Sequence, residues 1–223
     1  MAATNEKDQK KVDSDKSIEA SKIAARYNAV VAINGSHYFT EKERHRFEVR
    51  MGAVRNKALK ANAKRDIMII DENGDMHVFV HSEGALTFEK DTGHKIVNAC
   101  MFGPALVKDG QVLKTDKEYF YNPTKQEPRA AIGQLGKLSY VFVVCDGRGK
   151  SGSEGATHQE LANFMGSLQC QQAYNLDGGN SAILVVADPS AKNKVEIFNY
   201  KAQERDASDI FFFATAIPES EWK

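Results

Sequence analysis

The chain is poor in the residues that would reveal a cross-linked, metal-built or membrane-spanning protein. Only three cysteines occur among 223 residues, Cys100, Cys145 and Cys170. No two share a CxxC spacing, so neither a disulfide framework nor a structural zinc site is indicated. Cys145 ends the apolar run Tyr140-Val141-Phe142-Val143-Val144 and reads as a buried thiol. The six histidines show no HExxH-like spacing, and the acids are spread over loops without a ligand pattern. No metal and no cofactor are expected, and a metal-dependent phosphodiesterase is the weakest of the enzymatic readings. No apolar run approaches bilayer-spanning length, which argues against membrane insertion. Thirty basic and thirty acidic side chains cancel, so the surplus that a general nucleic-acid binder needs is missing. The N-terminus also lacks the apolar stretch of a leader. That leaves two expectations: a protein acting in the exported or cell-envelope space whose leader is not part of this chain, or a cytoplasmic one.

What is present is ordinary for a globular protein, with 42% hydrophobic and 27% charged residues. The length suits a single domain. Residues 1–16 are mostly charged from Glu6 to Lys16 and read as a disordered tail. Residues 17–223 read as one α+β domain, a mixed and largely antiparallel β-sheet with flanking helices. A helix is expected over Ser17 to Tyr27 with Ser17 as N-cap, then a strand at Ala29 to Ile33. Asn73-Gly74, Asp109-Gly110 and Gly136-Lys137 each lie between strand-like runs and predict hairpins. Thr157-His158-Gln159-Glu160 fits a capping box, and Leu161, Met165 and Leu168 continue it as a helical stripe. Strands return at Ala182 to Val186, Val195 to Phe198 and Ile210 to Ala216.

Five polar clusters border these strands: Asn34-Gly35-Ser36, Pro128-Arg129, Asp146-Gly147-Arg148, Asn175 to Ser181 and Glu204-Arg205-Asp206. Taken singly, each is explained by a turn. The loop Asn175-Leu176-Asp177-Gly178-Gly179-Asn180-Ser181 exceeds what a turn requires. Gly178 and Gly179 let the backbone pass close to a ligand, and Asp177, Asn175, Asn180 and Ser181 surround it with donors and acceptors. Arg129, Arg148 and Arg205 sit at strand ends, where a planar guanidinium grips phosphate or makes a surface salt bridge. Asp146 and Asp177 are the acids that paired-carboxylate chemistry would use. Glu160 is explained by the capping box, and His37 and His158 receive no role.

The ordered set Ala32-Ile33-Asn34-Gly35, Gly103 to Gly110, Pro128 to Gly133, Asp146-Gly147-Arg148, Ser153 to Ala162, Asn175 to Ser181 and Glu204-Arg205 resembles the phosphodiester glycosidase family. The resemblance covers Ser17 to Ile217. It implies hydrolysis of a sugar-1-phosphodiester, such as an α-N-acetylglucosamine-1-phosphodiester, at the anomeric C–O bond within a glycan or wall polymer. Bacterial members are often exopolysaccharide-associated. It further implies Asp177 and Asp146 as catalytic acids. Asn34, Gly35, Arg129, Arg148, Asn175, Gly178, Gly179, Asn180, Ser181 and Arg205 would then bind the carbohydrate phosphodiester. The family pattern is broken at three places: Ser36 replaces a glycine, Asn180 stands at a position of small residues, and Asp206 follows Arg205. These departures motivate a second reading, a non-catalytic sugar-phosphate-binding module on the same fold.

Overall fold

A computed structural model describes residues 2–3, 18–36, 47–56, 64–190, 194–199 and 204–214. The α+β reading holds, but among the described residues the strands form three five-stranded sheets and a two-stranded ribbon rather than one sheet. In spatial order, the first sheet runs Ala2–Ala3, Asp209–Ala214, Ala29–Asn34, Leu184–Ala187 and Val195–Ile197. The second runs Gln111–Val112, Ala105–Lys108, Gln172–Leu176, Arg129–Gly136 and Ser139–Cys145. The third runs Ala53–Asn56, Glu48–Arg50, Ile96–Cys100, Ile67–Asp71 and Met76–Phe79.

Strand alternation explains how three sheets share one interior. Ile33 and Phe211 from the first sheet meet Ala130, Ile132, Tyr174 and Leu176 from the second and Met68, Met76, Val78 and Cys100 from the third in one cluster. Their neighbours in sequence point the other way. Ala32, Val185 and Ile210 receive Ile23 and Ala24 of the helix Ala20–Arg26. Ala131, Ala173 and Val107 receive Leu161, Ala162 and Met165 of the helix His158–Ser167. Ile67 and Ile69 pack with Phe47, Val49 and Phe88. Both faces of the inner strands are therefore buried, which is why they read as continuous apolar runs rather than half-polar ones.

The capping box forms: Thr157 Oγ1 accepts from the Glu160 amide and Glu160 Oε2 accepts from the Thr157 amide. The Asn73-Gly74 and Asp109-Gly110 hairpins also form, the latter with Lys108 opposite Gln111 and both turn residues at positive φ. The third hairpin turns one residue later than expected: Gly136 pairs with Ser139, so Lys137 and Leu138 make the turn, with Leu138 at φ 57°. The first helix begins at Ala20 because Ile18 and Glu19 are extended against Ala207 and Asp206. Ser17, the expected cap, lies outside the described residues, as do His37 and the segment Glu6 to Lys16. The start of the expected tail is anchored: Ala2 and Ala3 pair with Ile210 and Asp209. Among the described residues Cys100, Cys145 and Cys170 form no disulfide, and Cys145 is half-buried where full burial was expected.

Candidate active site

Antiparallel register brings four of the five polar clusters together, and the charge of Arg205, from the fifth, is felt by Asp177. Arg129 opposes Cys145, and Ala130 opposes Leu176, so Pro128, Asp146 and Asp177 leave the second sheet at the same end. Ile210 opposes Asn34, which sets Asp209 beside Gly35 at the end of the first sheet. The two sheet ends are stitched by the Asp177 amide, which donates to Gly35 O at 3.1 Å.

Several residues expected to bind substrate are taken up by this stitching. Asn34 is buried. Its Nδ2 donates to Asp177 O at 2.7 Å and its Oδ1 accepts from the Ile183 amide at 3.0 Å. It is a bolt between strand and loop. Gly35 donates its amide to Asp209 O at 3.0 Å, and a Cβ at this position would overlap Asp209 Oδ1. Asn175 is buried and turned inward, its Nδ2 donating to Gly103 O at 2.8 Å. Gly179 donates its amide to Pro128 O at 2.8 Å, and a Cβ on Gly178 would lie 2.6 Å from the same oxygen. Gly178 is thus required by close packing against Pro128 and Gly179 by its φ of 58°, which corrects the reading of the pair as a bare surface for ligand.

Arg129 is the clearest correction. It is 3% exposed, and each of its five N–H groups has an acceptor within the protein. Nε donates to Ala156 O, Nη1 to Tyr121 O and His158 Nε2, and Nη2 to Asn122 O and Lys125 O, all at 2.8–3.2 Å. Burial lowers its pKa to about 10, which leaves it charged at neutral pH. Burial, with the Arg129 charge beside it, pushes His158 down to about 3. His158 is a neutral acceptor here. Arg129 ties the loop from Tyr121 to Lys125 onto the sheet and offers no fork to phosphate.

Asp177 behaves differently. Burial raises its carboxyl to about 6, and the neighbouring Asp209 pushes the same way; a hydrogen bond from Ser181, the charge of Arg205 and the Gly178 amide oppose the rise. A carboxylate with proton affinity near neutrality, beside an arginine and a hydroxyl, is equipped for acid–base work. Arg205 is exposed. Arg148, also exposed, bridges the two rims of the site: Nε donates to Glu127 Oε2 at 2.7 Å and Nη1 to Asn180 Oδ1 at 2.8 Å. Asp146 is half-buried, and its Oδ1 accepts from Asn199 Nδ2 at 3.1 Å, while the same Nδ2 reaches Ala182 O at 3.2 Å. Asp146 is thereby linked to the far end of the Asp177 loop. Beside it opens a groove of about 820 Å³ between the strand Ser139–Cys145 and the helix His158–Ser167, walled by Phe142, Val144, Phe164 and Phe198.

Sequence reasoning missed a buried cluster on the other side of Gly35. Arg50 is 1% exposed, and its Nη2 is ion-paired with both Asp209 and Glu48. Asp209 also accepts from the Ser36 amide at 2.8 Å and the Ser36 hydroxyl at 3.0 Å. The available signal was the alternation Glu48-Val49-Arg50, which puts opposite charges on one face of a strand whose other face is apolar.

A family model described as phosphodiester glycosidase matches residues 27–214. The prophage-derived uncharacterized protein YomE of Bacillus subtilis is 27% identical over 161 residues, which is 72% of this chain but only 24% of that protein's length. Among solved structures, the catalytic domain of zebrafish N-acetylglucosamine-1-phosphodiester α-N-acetylglucosaminidase, auto-inhibited by its pro-peptide, superposes with a TM-score of 0.64 at 15% identity, covering 90% of this chain and 68% of that one. A hypothetical protein from Synechocystis gives 0.58 at 14% identity, covering 89% and 54%. A putative exported protein from Burkholderia pseudomallei gives 0.54 at 14%, covering 89% and 68%. At these identities the structural likenesses speak for the fold.

Proposed function

The chain belongs to the phosphodiester glycosidase family, and from that premise we propose that it hydrolyses a sugar-1-phosphodiester with Asp177 as the acting carboxylate. The observation that carries the reading is the enclosed Asp177 carboxyl, raised to about 6 and flanked by Ser181 and Arg205. In the proposed reaction a water oxygen attacks the anomeric carbon. The bond from that carbon to the phosphate oxygen breaks, and its electron pair leaves with the phosphomonoester. The water proton passes to Asp177, which is ionised above about pH 6. The leaving group is already a stable anion, so it needs positive charge more than a proton. Arg205 and Arg148, both exposed at the rim, supply that charge. Asp146, on the opposite side of the loop, stabilises the positive charge that develops on the sugar ring. Asn180 and Ser181 complete the rim.

An α-N-acetylglucosamine-1-phosphodiester and a glycosylated wall polymer are the substrates to try, with free sugar as the readout. Release by the wild type that persists undiminished in Asp177→Asn would sink the assignment. The similarity to a putative exported protein supports an exported or envelope setting; among the described residues no helix is long and apolar enough to cross a membrane. One observation favours the second reading, sugar-phosphate binding without turnover. Arg148 is already engaged by Glu127 and Asn180, which leaves less of its fork for a ligand. Calorimetric binding of a sugar phosphate with no turnover of the diester would support that module.

A further inference from the structure

Glu48, Arg50 and Asp209 are buried, at 2%, 1% and 0% exposure, and no step of the proposed reaction uses them. Three buried charges are expensive to keep, and replacing such groups by apolar ones is often neutral or stabilising. Their retention calls for a purpose, and their connections supply one. Asp209 Oδ1 accepts from the Ser36 amide; Oδ2 accepts from the Ser36 hydroxyl, from Ser208 Oγ at 3.3 Å and from Arg50 Nη2. The Asp209 carbonyl takes the Gly35 amide, and the Gly35 carbonyl takes the Asp177 amide at 3.1 Å. An unbroken chain of contacts thus runs from Glu48 through Arg50 and Asp209 to the backbone of Asp177.

We propose that Glu48, Arg50 and Asp209 form a buried positioning triad for Asp177: Arg50 holds Asp209 in an ion pair, and Asp209 both clamps Gly35 and Ser36 and sets its carboxylate beside Asp177. The proposal rests on the reading of Asp177 as the acting carboxylate. The charges support it. Burial works against the Arg50 charge, yet Asp209 and Glu48 outweigh it and hold its pKa above the ordinary value. Two carboxyl groups thus share one guanidinium. The charged groups felt by Asp177 are that of Asp209, which favours its protonated form, and that of Arg205, which opposes it. Ser36, a departure from the family pattern, serves the triad through both its amide and its hydroxyl rather than facing a sugar.

The test is a titration of the Asp177 carboxyl by carbon-detected NMR on the full chain, alongside the pH dependence of turnover. Removing the neighbouring negative charge in Asp209→Asn lowers the proton affinity of Asp177, and the titration and the acidic limb of the rate profile move together to lower pH by about 0.5–1 unit. A folded Asp209→Asn protein whose Asp177 titrates as in the wild type overturns the proposal. Should Asp209→Asn not fold, Glu48→Gln takes its place. It leaves Asp209 and Arg50 paired, removes the second carboxyl group that shares Arg50, and produces a smaller shift in the same direction; no shift in that folded variant overturns the proposal equally. The titration does not depend on turnover. A moved titration in a protein that cleaves no diester upholds the triad and removes the glycosidase reading, and an unmoved one in an active enzyme does the reverse.

Discussion

Arg129 and Asp177 leave neighbouring strands at the same sheet edge, and each carries a charge into the protein. Every donor of Arg129 meets an acceptor, and the side chain has nothing left to offer a ligand. Asp177 is only partly compensated by Ser181, Arg205 and Gly178, and its proton affinity is raised as a result. The contrast teaches that burial alone does not mark a functional charge. Burial works against the charged form of both, but Arg129 stays charged with every donor taken and holds structure together, whereas the Asp177 carboxyl is brought to about 6, where it can exchange a proton near neutral pH.

The strongest way to break this comparison is Asp177→Asn. The rate falls by about 10²–10⁴-fold, as expected for loss of an acid–base group. Stability moves the other way. A carboxyl whose folded pKa lies above its unfolded value favours the native state in its protonated form, so stability is lost as pH rises from the ordinary value of 3.8 to about 6. At pH 7.5 the neutral amide therefore gains about 1–3 kcal/mol over wild type, on the scale of 1.36 kcal/mol per pKa unit. Denaturant titration at pH 4 and 7.5 checks this, and a variant no more stable at 7.5 contradicts the raised proton affinity of Asp177. The wild-type rate itself rises with pH through about 6, as Asp177 ionises.

Arg129→Leu tests the opposite pole. It strands several buried acceptors at once and costs about 3–5 kcal/mol in denaturant unfolding, given about 1.5–3 for each hydrogen bond to a charged group and incomplete additivity. In whatever fraction stays folded, the Michaelis constant for the phosphodiester changes little; a large rise would restore Arg129 as a substrate ligand. Thr157→Ala probes a satisfied charge at the surface, since Glu160 is held by the Thr157 amide and hydroxyl. The loss is about 1 kcal/mol, typical of an N-cap, with turnover unchanged. Arg148→Ala is the intermediate case. Its exposed bridge to Glu127 is worth at most about 0.5 kcal/mol of stability, while substrate binding weakens measurably. An unchanged Michaelis constant there would assign Arg148 to structure with Arg129.

Much of the architecture was legible in the chain. The capping box at Thr157, the hairpins at Asn73-Gly74 and Asp109-Gly110, and the α+β class follow from local rules of turn and cap chemistry. The placing of polar loops at strand ends was legible too. What was not legible depends on partners far apart in sequence. Arg129 looked like a phosphate fork because its carbonyl acceptors, from Tyr121 to Ala156, belong to loops whose path no local pattern predicts. Gly35 and Gly178 looked like ligand surface, and it is the proximity of Asp209 and Pro128 that makes them structural. Arg50 was overlooked because, of its two carboxylate partners, Glu48 lies two residues away but Asp209 lies 159 residues away.

The sequence by itself determined the element types, the family and the polar loop that carries Asp177, because periodicity, caps, turns and ordered motifs are short-range features of the chain. The tertiary structure alone decided which charges are satisfied and which remain available, because hydrogen-bond compensation and desolvation arise only when distant segments close around a group. Asp177 and Arg129 could not be told apart until that closure was seen.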